Sequence, residues 1–487
     1  MAEIGNCKEP KATMHVSRTW GAKPQKEKQM TEKQLEKKIL DSGRTLLFSN
    51  EDLKRLIIPL VIDQVLARTV GMADTMMISS VGEAAISGVS LVDMINMLIN
   101  AIFAAVATGG AVIASQYLGH RDREKACEAS SQLMVVTAVC ALLFTVLSLA
   151  ARKPLLSLLF GQIDADVMEA ALTYLTVSAI SFPFLASFNS SSALFRAMND
   201  SRTPTLVSLG MNVMNLVGNS ILIFGMKWGV AGAAISTLLS RVMAAVVMFV
   251  LSMNRHRQLY VRFDQMMHLQ PTLIGQILYI GIPSGIENGI FELGRIVVVS
   301  MISTFGTVQI AANAVANNLD GLGVLAGAAM NLAILTVVGR CVGAHDNDQV
   351  RYYTRKLIKI EYAMMVVVNV VLLAALPLIL NLYTLSPASR ELATQLVFIH
   401  DGFAMLLWPL ALSMPNALRA ANDVKFTMVL SIGSMVCFRI ALSYVVGVKM
   451  GYGALGVWFA MLVDWAVRAA VYTWRFEQGK WESMARI

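Results

Sequence analysis

Residues 196–200 read Arg-Ala-Met-Asn-Asp, and residues 419–423 read Arg-Ala-Ala-Asn-Asp, so nearly the same pentapeptide occurs twice, 223 residues apart. Further identical residues stand 224 apart: Pro59 and Pro283, Gly119 and Gly343, Gly229 and Gly453, and Gly232 and Gly456. A constant offset along most of the chain indicates an internal repeat. Each half of the sequence is therefore expected to build the same structural unit.

The apolar character of the chain places this unit in a lipid bilayer. Hydrophobic residues make up 56% of the 487 residues and charged residues only 15%, which excludes a water-soluble enzyme. A membrane-spanning helix needs about 20 mostly apolar residues, whereas strands of an outer-membrane barrel alternate with a period of two. The apolar runs predict twelve helical spans, numbered 1 to 12 in chain order: 56–80, 88–115, 131–151, 170–192, 204–224, 230–252, 273–301, 309–337, 357–380, 393–417, 426–447 and 453–474.

The predicted fold is an all-α integral membrane protein with twelve transmembrane helices in two pseudo-symmetric six-helix bundles. Six spans separate equivalent positions, so both halves have the same orientation and are related by an axis along the membrane normal. The predicted segments are a polar cytosolic tail (1–50), an N-lobe (51–252), a cytoplasmic inter-lobe linker (253–272), a C-lobe (273–474) and a cytosolic C-terminal tail (475–487). The first 50 residues are too polar to fold alone.

Lysine and arginine set the expected orientation. The net charge is +8, but the basic residues stand between apolar spans, a pattern that sets topology and does not indicate nucleic acid binding. The loops on one side hold only five of them, namely Arg152, Lys153, Lys227, Arg390 and Lys449. We therefore expect both termini in the cytoplasm of a multi-pass protein of the plasma or inner membrane. We also expect no cleaved signal peptide and a functional monomer.

Several features together resemble the MATE (multidrug and toxic compound extrusion) family of the MOP flippase superfamily. They are Pro59 followed by Ala73-Asp74-Thr75 in span 1, Ser115-Gln116-Tyr117-Leu118-Gly119 after span 2, and Arg196-Ala-Met-Asn-Asp200 before span 5. The resemblance covers roughly residues 50 to 475. It implies an antiporter that exports organic, often cationic, compounds in exchange for H+ or Na+, with two lobes that rock between inward-open and outward-open states. Lipid-linked oligosaccharide flippases share the superfamily and are the main alternative.

Acidic residues inside the spans are candidate functional groups, because burying a charge in lipid is costly. Asp63 and Asp74 of span 1 are eleven residues apart and fall on one face of the helix. Desolvation disfavours the ionised carboxylate, so such a group carries a proton or, when ionised, binds Na+. Asp74 is the first candidate for ion coupling, since it matches the family's acid in this helix. Pro59 and Pro283 lack a backbone donor and predict helix kinks.

Span 5 carries a polar stripe of Asn212, Asn215 and Asn219, at spacings of three and four residues. Such a stripe binds ions or joins helices by hydrogen bonds. The resemblance matches Asn215 to a family asparagine and Asn219 to a position that is aspartate in relatives, so this chain lacks one acid there. It also implies that Ser192 of span 4 and Thr237 of span 6 complete the ion site with their hydroxyls.

Spans 2 and 8 carry candidate substrate contacts on their inner faces. Asp93 and Asn96 correspond, at the 224-residue offset, to Asn317 and Asp320. The acid and the amide exchange places between the halves, which suggests matched faces on a central cleft. Hydrogen bonding between helices is an equal alternative.

Spans 1 and 7 carry charges at equivalent positions. Arg68 corresponds to Glu292, and Asp63 to Glu287. Glu292 resembles a span 7 acid that matters for transport in the family. Arg295, three residues further on, would neutralise it within the helix, whereas an ion pair with Arg68 would form a gate across the cleft. Asp63 and Glu287 are either cleft residues or buried polar anchors near the kinked starts of their helices.

The sequence indicates neither a metal site nor a cofactor other than the coupling ion, H+ or Na+. The five cysteines show no CxxC or ligand spacing. The run from Gly343 to Asp348 resembles metal ligands, but its counterpart from Gly119 to Asp122 is an ordinary turn, so we interpret both as solvated loops. His400-Asp401 in span 10 is either a proton relay or a local hydrogen bond. A GxxxxGK[ST] motif is absent, so ATP is not expected to drive transport directly.

The expected partners are small organic cations and the lipid bilayer. The spans hold more acids than arginines, and the 30 methionines and 37 aromatic residues (19 Phe, 11 Tyr and 7 Trp) suit a cavity that repacks around varied cargo. A flippase would need several basic residues to hold pyrophosphate. An intramembrane enzyme would need a motif such as HExxH or GxSxG, which the sequence lacks. A two-lobe repeat also favours alternating access over a continuous channel.

Overall fold

The structure is a computed structural model that describes residues 30–160, 164–381, 383 and 385–485. Every regular element in these ranges is helical. The first half of the chain forms eight helices: α1 (Glu32–Asp41), α2 (Asn50–Ser79, span 1), α3 (Glu83–Gly119, span 2), α4 (Arg123–Ala150, span 3), α5 (Arg152–Phe160), α6 (Ala165–Ala197, span 4), α7 (Arg202–Asn219, span 5, continued by a π-helical turn over Ser220–Gly225) and α8 (Gly229–Ser252, span 6).

The second half begins after a linker that contains one short helix, α9 (Phe263–Met267). Span 7 is α10 (Pro271–Ser303), and span 8 consists of α11 (Thr307–Gly323) and α12 (Leu325–Gly343). Span 9 is α13 (Asn347–Leu380), and span 10 consists of α14 (Pro387–Trp408) and α15 (Met414–Ala420), which a π-helical turn joins. Span 11 is α16 (Val424–Ser434), continued by π-helical turns, and span 12 is α17 (Gly453–Gln478). Eleven helices in the described ranges are long and apolar enough to cross a membrane. The 33-residue α10 completes the predicted twelve.

Local sequence explains where span 1 begins. Ser49 and Asp52 form a capping box at the start of helix α2. The Ser49 amide donates to the Asp52 carboxylate at 2.9 Å, and the Asp52 amide donates to the Ser49 hydroxyl at 3.1 Å. This reciprocal arrangement satisfies amides that have no partner within the helix. The apolar run of span 1 follows directly.

The internal repeat is visible in the backbone itself. Residues with positive φ recur between the halves at the 224-residue offset, or at 223 for the pentapeptide: Gly82 and Gly306, Arg121 and His345, Asn199 and Asn422, Lys227 and Gly451, and Gly229 and Gly453. The π-helical turns over Ser220–Gly225 and Tyr444–Lys449 are also equivalent. The predicted pair of pseudo-symmetric six-helix bundles is confirmed.

The linker marks one side of the molecule, which we call the linker side. Arg257 of the linker pairs with Asp200 at 2.9 Å, and Arg340 of span 8 donates to Gln258 at 2.7 Å. The loops at 120–122, 199–201, 344–346 and 421–423 lie on this side. We call the opposite side the far side.

Spans 2 and 8 make backbone contact on the linker side. A Cβ built on Gly119 would strike the carbonyl oxygen of Arg340, and one built on Gly343 would strike that of Gln116. Gln116 also donates to the carbonyl of Ala420 at 2.8 Å. Because Gln116 and Arg340 are repeat equivalents, the contact between the lobes is reciprocal.

The two lobes separate toward the far side. Spans 2 and 7 stay in contact as far as Gly289, where a Cβ would lie 3.6 Å from the Leu98 side chain. Beyond this point Leu293 and Ile296 of span 7 are exposed. Nearly all the buried residues of span 1 lie between positions 53 and 60, in its linker-side half. A central cleft therefore opens between the lobes on the far side.

Residues 30–49, which belong to the predicted polar tail, pack against the C-lobe. Helix α1 buries Leu35 and Ile39. Arg44 donates to Asp346 at 2.8 Å and to Asp348 at 2.7 Å. The hydrogen bond to Asp348 raises the pKa of Arg44, so the guanidinium stays charged. Residues 1–29 of the predicted tail lie outside the described residues.

Candidate ion and substrate site

Four predicted coupling residues meet in the N-lobe at the far-side half of spans 1, 5 and 6. The Asn219 amide donates to the Asp74 carboxylate. Asn215 donates to the Thr237 hydroxyl at 3.1 Å. Asn215 and Asn219 are buried, whereas Asp74 is only half-buried. We call this group the Asp74 pocket.

Span 2 contributes the second acid of this region. The Asn96 amide donates to Asp93 at 3.3 Å and to the Ser178 hydroxyl of span 4 at 3.5 Å. Asp93 lies close enough to Asp74 for the two carboxylates to repel each other. The predicted substrate contacts Asp93 and Asn96 thus border the Asp74 pocket.

Arg241 and Tyr174 complete the pocket, and neither was among the predicted site residues. The Arg241 guanidinium donates to the Ser181 hydroxyl at 2.7 Å and interacts electrostatically with Tyr174, Asp93 and Asp74. With both acids ionised, the pocket carries one negative charge in excess. Arg241 could have been found from the sequence, because it is a charged residue inside span 6. Tyr174 could not, because a tyrosine is common in an apolar span and does not indicate a site.

Ser192 does not join this pocket. It lies five residues from the linker-side end of α6, whereas Asp74 lies 24 residues from the linker-side end of α2. At 1.5 Å per residue the two positions differ by roughly 28 Å along the helices. The Ser192 hydroxyl is buried and makes no hydrogen bond with any described residue.

Glu287 is held by an ion pair within the C-lobe. Arg419, the first residue of the second pentapeptide, contacts the Glu287 carboxylate at 2.5 Å, and the Ser431 hydroxyl also donates to it. The same three positions recur in the N-lobe as Asp63, Arg196 and Ser208. The structure thus favours the anchor role for Asp63 and Glu287. Pro59 and Pro283, for which the sequence predicts helix kinks, lie inside the helices α2 and α10, and neither proline ends its helix.

The hypothesised gate between Arg68 and Glu292 is absent from this conformation. Glu292 pairs with Arg295 of its own helix at 3.2 Å, and the Arg68 guanidinium lies beside span 8, where a Cβ on Gly321 would be 3.0 Å from Nη1. Among the described residues, no acid lies within 4.0 Å of Arg68. The two side chains do not meet, because Glu292 is paired within its own helix and Arg68 is directed toward span 8.

Asp320 of span 8 joins the pair in span 10. His400 Nδ1 lies 2.9 Å from an Asp401 carboxylate oxygen and 3.1 Å from one of Asp320. The ligand atoms of these three residues lie within 4.8 Å of one another, close enough to hold a metal ion. Asn317, the other predicted residue of span 8, instead donates to the Asn313 carbonyl of its own helix at 2.8 Å.

Two further buried acids lie in the C-lobe. Glu361 of span 9 is fully buried, and the Ser413 hydroxyl donates to it at 2.6 Å. Glu361 was not among the predicted site residues, although it is an acid inside an apolar span. Asp464 of span 12 pairs with Arg468 at 2.8 Å and lies 3.8 Å from Arg439. Their full or near-full burial indicates structural roles.

Comparison with known proteins identifies the fold and the family. The MatE family model matches the chain twice, at residues 59–221 and 283–445. The chain is 27% identical over 430 residues to YisQ of Bacillus subtilis, named an uncharacterized transporter, with 87% of this chain and 93% of that protein covered. It is 26% identical over 448 residues to NorM of Thermotoga maritima, named a probable multidrug resistance protein, with 89% and 94% covered.

Solved structures agree with this result. A multidrug resistance MATE family transporter of the MOP superfamily, in an outward-facing conformation, superposes with a TM-score of 0.82 at 20% identity, covering 90% of this chain and 96% of that one. The relatives are named as transporters and not as enzymes. Both halves of the repeat match the family model over the same positions, and together the matches cover about two thirds of the chain, so this protein belongs to the MatE family of membrane transporters.

Proposed function

We propose that this transporter is an ion-coupled antiporter that exports organic cations, using H+ or Na+ as the coupling ion. The observation that carries the proposal is the half-buried Asp74 carboxylate, hydrogen-bonded by Asn219. A desolvated carboxylate exchanges a cation readily because burial disfavours its charged form. The multidrug resistance name of the NorM relative supports drug-like cargo.

The charge of the Asp74 pocket favours the uptake of one monovalent cation. Asp74 and Asp93 together carry two negative charges, and Arg241 supplies one positive charge. One proton or one Na+ would neutralise the remainder, and a neutral pocket is strongly favoured in a low-dielectric environment. Asn219, at a position where relatives have aspartate, keeps this excess at a single charge.

The distribution of basic residues supports a cytoplasmic linker side in the plasma or inner membrane. The conformation described above would then open outward, the state in which cargo leaves and the coupling ion enters. Alternating access requires the reciprocal contact at Gly119 and Gly343 to open when the cleft faces inward.

Acids that border the cleft favour a cationic cargo. Asp93, Glu292 and Asp320 lie on spans 2, 7 and 8, and none is fully buried. Arg68 is the observation that favours the alternative, a flippase for lipid-linked oligosaccharides, because an exposed guanidinium without an acidic partner suits a phosphate group.

The test is counterflow in proteoliposomes with a fluorescent organic cation, comparing wild type with Asp74→Asn and with Glu361→Gln as a matched buried acid outside the pocket. We expect cation efflux driven by a proton or Na+ gradient in wild type and Glu361→Gln, and its loss in Asp74→Asn. Normal exchange by Asp74→Asn would move coupling to another acid. Transport of a lipid-linked oligosaccharide, without cation exchange, would support the flippase.

A further inference from the structure

We propose that Asp320, His400, Asp401 and Asn369 form a binding site for one divalent metal cation in the C-lobe, separate from the Asp74 pocket. The site lies where span 8 is interrupted, between the end of α11 at Gly323 and the start of α12 at Leu325. Spans 8, 9 and 10 each supply at least one of its side chains.

Asn369 is the observation, independent of the acids, that points to a ligand. Its amide nitrogen donates to the carbonyls of Gly323 at 3.1 Å and Met365 at 2.8 Å. Both groups are carbonyl oxygens, which would repel an amide oxygen, so Nδ2 faces them and Oδ1 points away. Oδ1 is fully buried and has no hydrogen-bond partner among the described residues.

Asn369 Oδ1 and the Asp401 carboxylate both lie beside Gly323. A Cβ on Gly323 would lie 2.5 Å from Asn369 Oδ1 and 3.4 Å from Asp401 Oδ1. Asp401 Oδ2 is buried and has no hydrogen-bond partner among the described residues, and Asp320 Oδ1, although 3.1 Å from His400 Nδ1, makes no hydrogen bond there either. Several buried acceptors around one space are costly unless a donor or a cation satisfies them. A single proton satisfies only one pair of acceptors, whereas a metal ion satisfies all of them at once.

The charge of the group calls for a divalent ion. Asp320 and Asp401 contribute two negative charges. Arg295 pairs with Glu292, and Arg439 shares Asp464 with Arg468, and no arginine of the described residues lies within 4.0 Å of either carboxylate. Buried carboxylates without compensation are strongly unfavourable. A divalent cation neutralises the pair completely.

His400 is oriented as a metal ligand. Its ring lies between Trp458 and Trp465, with centroids 4.9 Å from each. Nε2 has no hydrogen-bond partner among the described residues. Beside aromatic rings a protonated nitrogen is favoured, because its N–H is attracted by the ring face whereas a lone pair is repelled by it. With the proton on Nε2, the Nδ1 lone pair faces the two carboxylates, and a cation between them removes the repulsion.

The ligand set indicates the class of metal. Imidazole together with carboxylate and amide oxygen suits Zn2+, Mn2+ or Co2+, whereas Ca2+ takes six to eight oxygen ligands. Asp320, with 24% of its side chain exposed, gives the ion a path from the cleft. Once bound, the ion would join span 8 to spans 9 and 10 at the interruption of span 8.

The experiment is Co2+ titration of the purified, tag-free protein in detergent, followed by visible d–d absorption and by quenching of tryptophan fluorescence. We expect one Co2+ per chain, displaced by Zn2+. Asp401→Asn and His400→Gln should weaken binding at least about tenfold, with the monodisperse elution of wild type showing that they fold. Asp74→Asn should bind normally, which separates this site from the proposed coupling residue.

The matched control is His345→Ala, because the rings of His120 and His345 lie 5.2 Å apart in the linker-side loops and are the other place where Co2+ could bind. Binding that survives Asp401→Asn but disappears in His345→Ala overturns the proposal. The proposal is also overturned if the wild-type protein binds no Co2+ and its tryptophan fluorescence instead changes with pH. If Asp401→Asn abolishes that change, the group is a proton site and not a metal site.

Discussion

Arg419 holds the Glu287 carboxylate at 2.5 Å, and this pair gives the repeated pentapeptide its structural role. In the N-lobe the equivalent arginine, Arg196, interacts electrostatically with Asp63 without forming an ion pair within 4.0 Å, so the close contact is a property of the C-lobe. The pair of Arg419 and Glu287 is nearly enclosed, with 13% and 8% of the two side chains exposed. It therefore fixes span 7, the first helix of the C-lobe, to span 10 of the same lobe.

Removing one member of this pair should destabilise the protein. Arg419→Ala leaves a buried carboxylate without compensation, which costs about 3–5 kcal/mol, and the unfolding temperature in detergent should fall markedly. Arg295→Ala is the control, because Arg295 is half exposed and such pairs contribute about 0–1 kcal/mol. A double variant, Arg419→Ala with Glu287→Ala, should lose less than the sum of the single losses; simple additivity would show that the two side chains do not interact.

Closure on the linker side should depend on the absence of a side chain at Gly119. Gly119→Leu places atoms against the carbonyl of Arg340, so the lobes can no longer meet and the inward-open state should gain population. Spin labels on the loops at 120 and 345, measured by double electron–electron resonance, should report longer distances. Gly275→Leu is the control, since a Cβ there meets nothing within 4 Å. An unchanged distance distribution in Gly119→Leu would contradict the closure described here.

Restoring an acid at position 219 should change the number of ions exchanged per cargo molecule. Asn219→Asp raises the excess charge of the Asp74 pocket from one to two, so the stoichiometry should increase by about one cation per cargo, as neutrality requires. The zero-flux potential of proteoliposomes measures this ratio directly. Asn212→Asp, two turns earlier on the same stripe, should leave the ratio unchanged. An equal ratio in wild type and Asn219→Asp would show that Asp74 alone exchanges the ion.

The attachment of the linker should persist across the physiological pH range. Burial alone raises the pKa of Asp200, but hydrogen bonds from Thr203 and Arg257 outweigh it, and the net effect is a lowered pKa. A lowered pKa in the folded state stabilises the protein above the unfolded value of about 3.9, and this contribution disappears as the pH falls through the folded value. Limited proteolysis of the linker should therefore accelerate only below about pH 4.

Asp200→Asn removes the charge at every pH and should make linker proteolysis independent of pH. Thr203→Val removes one hydrogen bond and should move the acid transition upward. Cleavage that already accelerates between pH 5 and 7 in wild type would show that Asp200 does not control the attachment of the linker.

Composition and repeat sufficed to predict twelve spans and two lobes, because both depend on local hydropathy and on an offset that the sequence shows directly. The Asp74 pocket could also be predicted from spacing and resemblance, apart from Arg241 and Tyr174. The partners of individual side chains could not be predicted as well: Arg68 and Glu292 are equivalent in the repeat, yet Glu292 pairs with Arg295 of its own helix and not with Arg68. The interruption of span 8 at Gly323 is equally invisible in hydropathy, since Gly323 and Val324 continue an apolar run.

The reciprocal contact between Gly119 and Gly343 has the geometry of a symmetric dimer. In an isologous interface the same surface meets itself across a twofold axis, so residue i of one copy touches residue j of the other and the reverse. Gly119 with Arg340, and Gly343 with Gln116, follow this rule within a single chain. The two lobes therefore meet as the subunits of a parallel dimer do, with the loop at 253–270 as the covalent connection between them. A side chain added at Gly119 and one added at Gly343 should consequently disturb the same interface in the same way.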